Sequence, residues 1–254
     1  MTSVAAPLMG VDRTRPHALF AARVLMLASG FAGLGYQLVW THQSATWLGH
    51  EITAVLAVVA AFFGGLALGA WALGPRIERS VVPQRWYAGC ELAIGLWSLV
   101  LACVIDGYGA ALMRAIGPEP GMLRQWSLAF AGTFLLLLPA TAAMGATLAA
   151  MERLCRIVAR YERDGRAVAS LYAANTFGAV LGVLAVAFAL APALGYARTA
   201  LICAAVNLAC AVATLLLFRN SSVACAGAVQ LSFDGRSVSL WPLGLCGLLG
   251  IGYE

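Results

Sequence analysis

The chain has 254 residues, of which 62% are hydrophobic and only 11% charged, with a mean hydropathy of +0.86. A soluble domain carries about 25% charged residues, so this composition excludes an ordinary soluble fold. The net charge of +5 is carried by arginine alone, and because those arginines sit between apolar runs they point to membrane topology rather than to nucleic acid.

Uncharged runs cover residues 24–50, 52–75, 125–151, 167–197 and 199–218. A hydrocarbon core of about 30 Å takes roughly 20 apolar residues to cross as a helix. The runs predict an all-α, polytopic transmembrane bundle with spans near 19–41, 52–74, 88–108, 126–149, 168–191 and 197–218. A seventh span begins near 239 and stops at 254. Helices satisfy their backbone groups internally, and none of these runs shows the alternating polarity of a barrel strand. The organisation expected is a tail at 1–18, a six-span domain at 19–218, a linker at 219–238 and the start of a second repeat at 239–254. Arg13, Arg15 and Arg23 precede the first apolar run, which lacks a small-residue cleavage site and reads as an uncleaved span.

Loop charges set the orientation. Arginines crowd the N-terminal tail, the second connection (Arg76, Arg79, Arg85), the fourth (Arg153, Arg156, Arg160, Arg163, Arg166) and the segment after the sixth span (Arg219, Arg236). The odd connections hold few, so the N-terminus is expected in the cytoplasm, with bacterial inner membrane as the location. The lipid bilayer is the first partner this implies.

In the first span, Gly30, Gly33, Tyr36, Gln37 and Trp40 fall on one third of the helix circumference. The second span carries Gly65 and Gly69, and the fifth carries Gly178 and Gly182, each pair at the four-residue spacing that lets helices pack closely. Asn175 shares the glycine arc of the fifth span, Tyr172 lies at its edge, and Asn207 lies deep in the sixth. These polar groups read either as interhelical hydrogen bonds or as a path or site for a small solute.

Asp106 and Glu91 fall at the two ends of the third span, and Glu91 is the carboxylate placed inside it. Placed about a turn from the cytoplasmic end, it has two readings: a group that binds a proton or cation, or a surface partner of Arg85. His42, His50 and Glu51 carry metal-ligand chemistry, but their spacing does not suit one helical face, so no metal is expected. The seven cysteines include no C-x-x-C pair and read as small hydrophobes. No phosphate loop, dinucleotide fingerprint, G-x-S-x-G or H-E-x-x-H is present, so no catalytic residue or cofactor is expected.

"SGFAGLGYQLVW" (29–40), "AFFGGLALGAW" (61–71), "LLLLPATAAMGATL" (135–148), "LYAANTFGAVLG" (171–182) and "ALGYART" (193–199) together resemble the membrane part of the bacterial fused transporter-like/spermidine synthase proteins. The resemblance implies a domain like one half of a major facilitator-type fold. It also implies a soluble aminopropyltransferase-like domain with a glycine-rich loop, which these residues do not contain. Matching positions are Tyr36, Gln37 and Trp40; Pro139, Met144, Gly145 and Thr147; and Tyr172, Asn175, Thr176, Gly178 and Gly182. One departure is "GPRIER" (74–79), where the facilitator pattern often has an acidic residue.

Three functions follow from the resemblance: a membrane anchor or accessory subunit of a polyamine-synthase-like system, half of a small-solute transporter, or a structural subunit of a larger complex. A protein partner or a second half is expected in each. The closing "CGLLGIGYE" (246–254) repeats "SGFAGLGYQ" (29–37), matching Gly30, Gly33, Gly35 and Tyr36. The repeat predicts a parallel second half.

Overall fold

A computed structural model describes residues 14–49, 51–158 and 165–219. The expected linker beyond 219, the seventh span, the repeated motif and His50 lie outside the described residues, as does most of the N-terminal tail. The described chain is entirely helical: α1 (Thr14–Leu48), α2 (Glu51–Glu78), α3 (Pro83–Ile116), α4 (Met122–Val158), α5 (Gly165–Ala185), a π-helical turn (Val186–Leu190) and α6 (Ala191–Leu217).

Five continuous helical runs are long and apolar enough to cross a membrane. The last, Arg166–Leu217, has 52 residues, and at about 1.5 Å per residue it would reach far beyond the hydrocarbon core if straight. It is not straight. Pro192 has no N–H to give the Phe188 carbonyl, and the helix widens into the π turn just before it, closed by the Ala191 N–H on the Val186 carbonyl. Gly195 then leaves helical geometry altogether, at φ 79° and ψ 165°. A side chain is scarcely tolerated in that backbone region, so glycine makes the break possible.

Contacts along the helices fix their directions. Arg23 meets Ser170, Leu27 meets Gly178 and Phe31 meets Gly182, so α1 and α5 run parallel. Gly65 meets Thr141, Gly69 meets Ala142 and Glu78 meets Arg156, so α2 and α4 run parallel. Leu25 lies by Cys210 and Gly35 by Cys203, so α6 runs against α1. The break at Gly195 is thus a reversal of the chain, from a helix parallel to α1 into one antiparallel to it.

Two seams of close backbone approach hold these parallel pairs. A Cβ at Gly178 or Gly182 would collide with the Leu27 or Phe31 carbonyl, and one at Gly30 with the Asn175 carbonyl. A Cβ at Gly69 would meet the Ala142 carbonyl, and one at Gly65 the Thr141 side chain. From the opposite side of that seam, Gly145 packs on the Leu66 carbonyl. Without a hydrophobic drive between helices in lipid, such contact is a main source of association. Antiparallel α3 and α4 are joined differently: Trp97 donates its indole N–H to the Leu136 carbonyl at 2.9 Å, and Tyr108 donates to the Gly132 carbonyl at 2.8 Å.

Candidate functional site: a buried carboxyl between three helices

The third helix begins at Pro83, so Glu91 stands about two turns inside it rather than at its rim. Its face meets α1 and α6, and its side chain is 0% exposed. Asn207 of α6, 1% exposed, donates its amide N–H to Glu91 Oε2 at 2.5 Å. The sequence reading offered Arg85 as a surface partner. The structure differs: Arg85 is exposed and lines a crevice of about 430 Å³ on another face of α3, with Leu73, Trp86, Pro139 and Ala143.

Other polar side chains complete the junction. Ser29 of α1 and Tyr87 of α3 stand beside the Glu91 carboxyl. Tyr87 donates instead to the Leu25 carbonyl at 3.3 Å. Two turns further along α3, Ser98 donates to the Ile94 carbonyl, with the Tyr36 hydroxyl approaching it. Cys210 of α6 is also near Glu91, whereas Cys90, the chain neighbour of Glu91, lines the crevice with Arg85. Ser29 and Tyr36 on α1, and Glu91 and Ser98 on α3, are both seven residues apart, hence on one helical face each. That shared spacing was the signal that could have drawn Ser29 and Ser98 into the site.

Within this junction, three atoms go unserved: the Tyr36 hydroxyl, Glu91 Oε1 and Asn207 Oδ1. All are buried and have no hydrogen-bond partner among the described residues. Buried polar atoms in native proteins nearly always have a partner, so each unserved one requires an explanation.

The remaining sequence candidates are distributed as follows. Tyr36 and Trp40 are buried and stacked, with centroids 4.8 Å apart, and Trp40 packs on Phe62. Gln37 is half-buried, and its backbone carbonyl accepts the Thr41 hydroxyl. Gly33 lies near the Met144 sulfur. Asn175 joins α5 to α1 through the Met26 carbonyl at 3.2 Å, whereas Tyr172 and Thr176 are exposed. Thus Tyr36, Glu91 and Asn207 come together, Asn175 belongs to the glycine seam, and Gln37, Tyr172 and Thr176 join neither. His42 stacks on Tyr196, 4.9 Å between centroids. Among the described residues no three His, Cys, Asp or Glu side chains gather as a metal site requires.

Known proteins resemble this chain at a distance. It is 29% identical over 209 residues to the polyamine aminopropyltransferases of Mycobacterium tuberculosis and Mycobacterium bovis, covering 78% of this chain and 36% of theirs. It is 30% identical over 207 residues to polyamine aminopropyltransferase 2 of Streptomyces coelicolor, covering 78% of this chain and 35% of that one. The chain therefore spans about a third of the length of the curated relatives it matches. No protein-family model matches it, and no solved structure does. A matched stretch of that length cannot avoid the helical bundle, so the similarity to these proteins runs through long apolar helices.

Proposed function

We propose that this chain is a membrane domain of a polyamine aminopropyltransferase-like system, acting as anchor or accessory subunit for a soluble transferase. The observation that carries this reading is the match to aminopropyltransferases over 78% of the chain, a stretch that includes membrane-length helices. Aminopropyl transfer requires a site that orients an amine nucleophile. The described residues offer a packed helical bundle instead, so the chemistry belongs to a partner or to another part of the protein.

In this reading the helices make six crossings, with the reversal at Gly195 separating the fifth from the sixth, as in one half of a facilitator-type fold. Arginine-bearing ends support a cytoplasmic N-terminus: Arg156 pairs with Glu78 at 3.3 Å and Arg23 bonds Ser170 at 3.2 Å at one end of the bundle. The cell membrane of a bacterium is the matching location.

Co-expression tests the anchor. The part of the Streptomyces coelicolor relative outside the match would be produced with and without this chain, and the membrane and soluble fractions assayed for aminopropyl transfer. Retention of activity in the membrane only when the chain is present is the expected result. Activity that stays soluble in both cases would overturn the proposal. A reporter fused after Ser222 should read cytoplasmic, and a readout from the far side would reject the orientation.

A further inference from the structure

The unserved atoms at the α3–α6 junction have a chemical meaning. An ionised carboxylate only accepts hydrogen bonds, and a carboxamide oxygen also only accepts. Glu91 Oε2 already receives the Asn207 amide N–H, while Glu91 Oε1 and Asn207 Oδ1 each lack a donor. With an ionised Glu91, the Ser29 and Tyr87 hydroxyls beside the carboxyl can turn a hydrogen toward it, but the deficit at Asn207 Oδ1 stands and the charge is buried among neutral groups. A single hydrogen on Oε1, directed at Oδ1, removes both. The pair then becomes a closed acid–amide ring: N–H to Oε2 in one direction, O–H to Oδ1 in the other.

We propose that Glu91 and Asn207 form an intramembrane proton-binding site, in which Glu91 holds the proton on Oε1 and shares it with the Asn207 carbonyl oxygen. The ligand is a proton, which needs no cavity, in keeping with the complete burial of both side chains. Among the described residues the titratable groups near Glu91 are Tyr36 from α1, Tyr87 and the adjacent Cys90 from α3, and Cys210 from α6. Among the described residues no arginine acts on the Glu91 carboxyl. The site is also a link between helices. Releasing the proton removes the O–H bond to Asn207 Oδ1 and leaves the Asn207 N–H to Oε2 as the hydrogen bond between α6 and α3.

Infrared spectroscopy of the purified chain in lipid bilayers reads the proton directly. At neutral pH the wild-type protein should show the carbonyl stretch of a protonated carboxyl, and Glu91→Gln should lose that band. Because a Gln–Asn pair closes the same ring, Glu91→Gln should also unfold at the wild-type temperature. If the variant removes a carboxylate band instead, or one that moves when sodium replaces potassium, the site holds charge or a metal cation and the proposal is overturned. Asn207→Ser provides an independent reading should Glu91→Gln not accumulate. It should shift the protonated-carboxyl band of the wild type, and an unmoved or absent band would equally overturn the assignment.

Discussion

The α1–α5 seam and the α3–α6 junction both join helices distant in sequence, by opposite means. The seam uses backbone against backbone, with Gly178 and Gly182 against the Leu27 and Phe31 carbonyls. The junction uses two polar side chains, Glu91 and Asn207, in an otherwise apolar setting. A seam of glycines has one packed state, because any added atom strikes a carbonyl. A carboxyl–carboxamide junction has two states, differing by a proton. Structure is concentrated in the first and responsiveness in the second.

The sharpest way to break this contrast is a single methyl group. Gly178→Ala places a Cβ against the Leu27 carbonyl, whereas nothing lies within 4 Å of a Cβ at Gly74. Overpacking costs typically about 1–3 kcal/mol and sometimes more, and a helix backbone yields less readily than a side chain. Gly178→Ala should therefore lower the unfolding temperature in lipid nanodiscs more than any other substitution considered, while Gly74→Ala leaves it unchanged or raises it. Equal melting of the two variants would dismiss the seam.

At the junction the effect should be smaller and should depend on the partner. Glu91→Leu strands the Asn207 amide, at a cost of about 1–3 kcal/mol. Replacing both by leucine removes the stranded group, and the double variant should unfold above the temperature expected from adding the two single losses. Simple additivity would show that the two side chains are not energetically coupled. Smallest of all should be Arg156→Ala. Arg156 bridges Glu78 at 3.3 Å and Glu152 at 3.5 Å at the exposed end of α2 and α4, where such pairs contribute about 0–1 kcal/mol. Its thermal shift should vanish as salt is raised.

Sequence made the seams legible and left the junction dark, for a physical reason. Gly178 and Gly182 announce a close-packed face by their spacing alone, and in the structure a Cβ at either would meet a carbonyl of α1, where Asn175 also bonds. The same periodicity places Glu91 and Asn207 on faces of their own helices, but does not say which faces meet. Their 116-residue separation gives no local signal. The stretch "PQRWYAGC" (83–90) is polar enough to read as an interface, and in the structure it forms the first two turns of α3. The break at Gly195 was easier to anticipate as a boundary between two spans than as a helix that reverses without an intervening loop.

The parallel seam has a consequence for biosynthesis. Gly30 and Gly178 lie about 150 residues apart, and at about 5–20 residues per second a ribosome needs on the order of ten to thirty seconds to connect the two events. During that interval α1 is in the bilayer while its grooved glycine face has no partner. The first helix must wait, in lipid or beside the insertion machinery, for the fifth to arrive. A lag of this kind leaves the glycine face of α1 open to mispairing with other membrane helices.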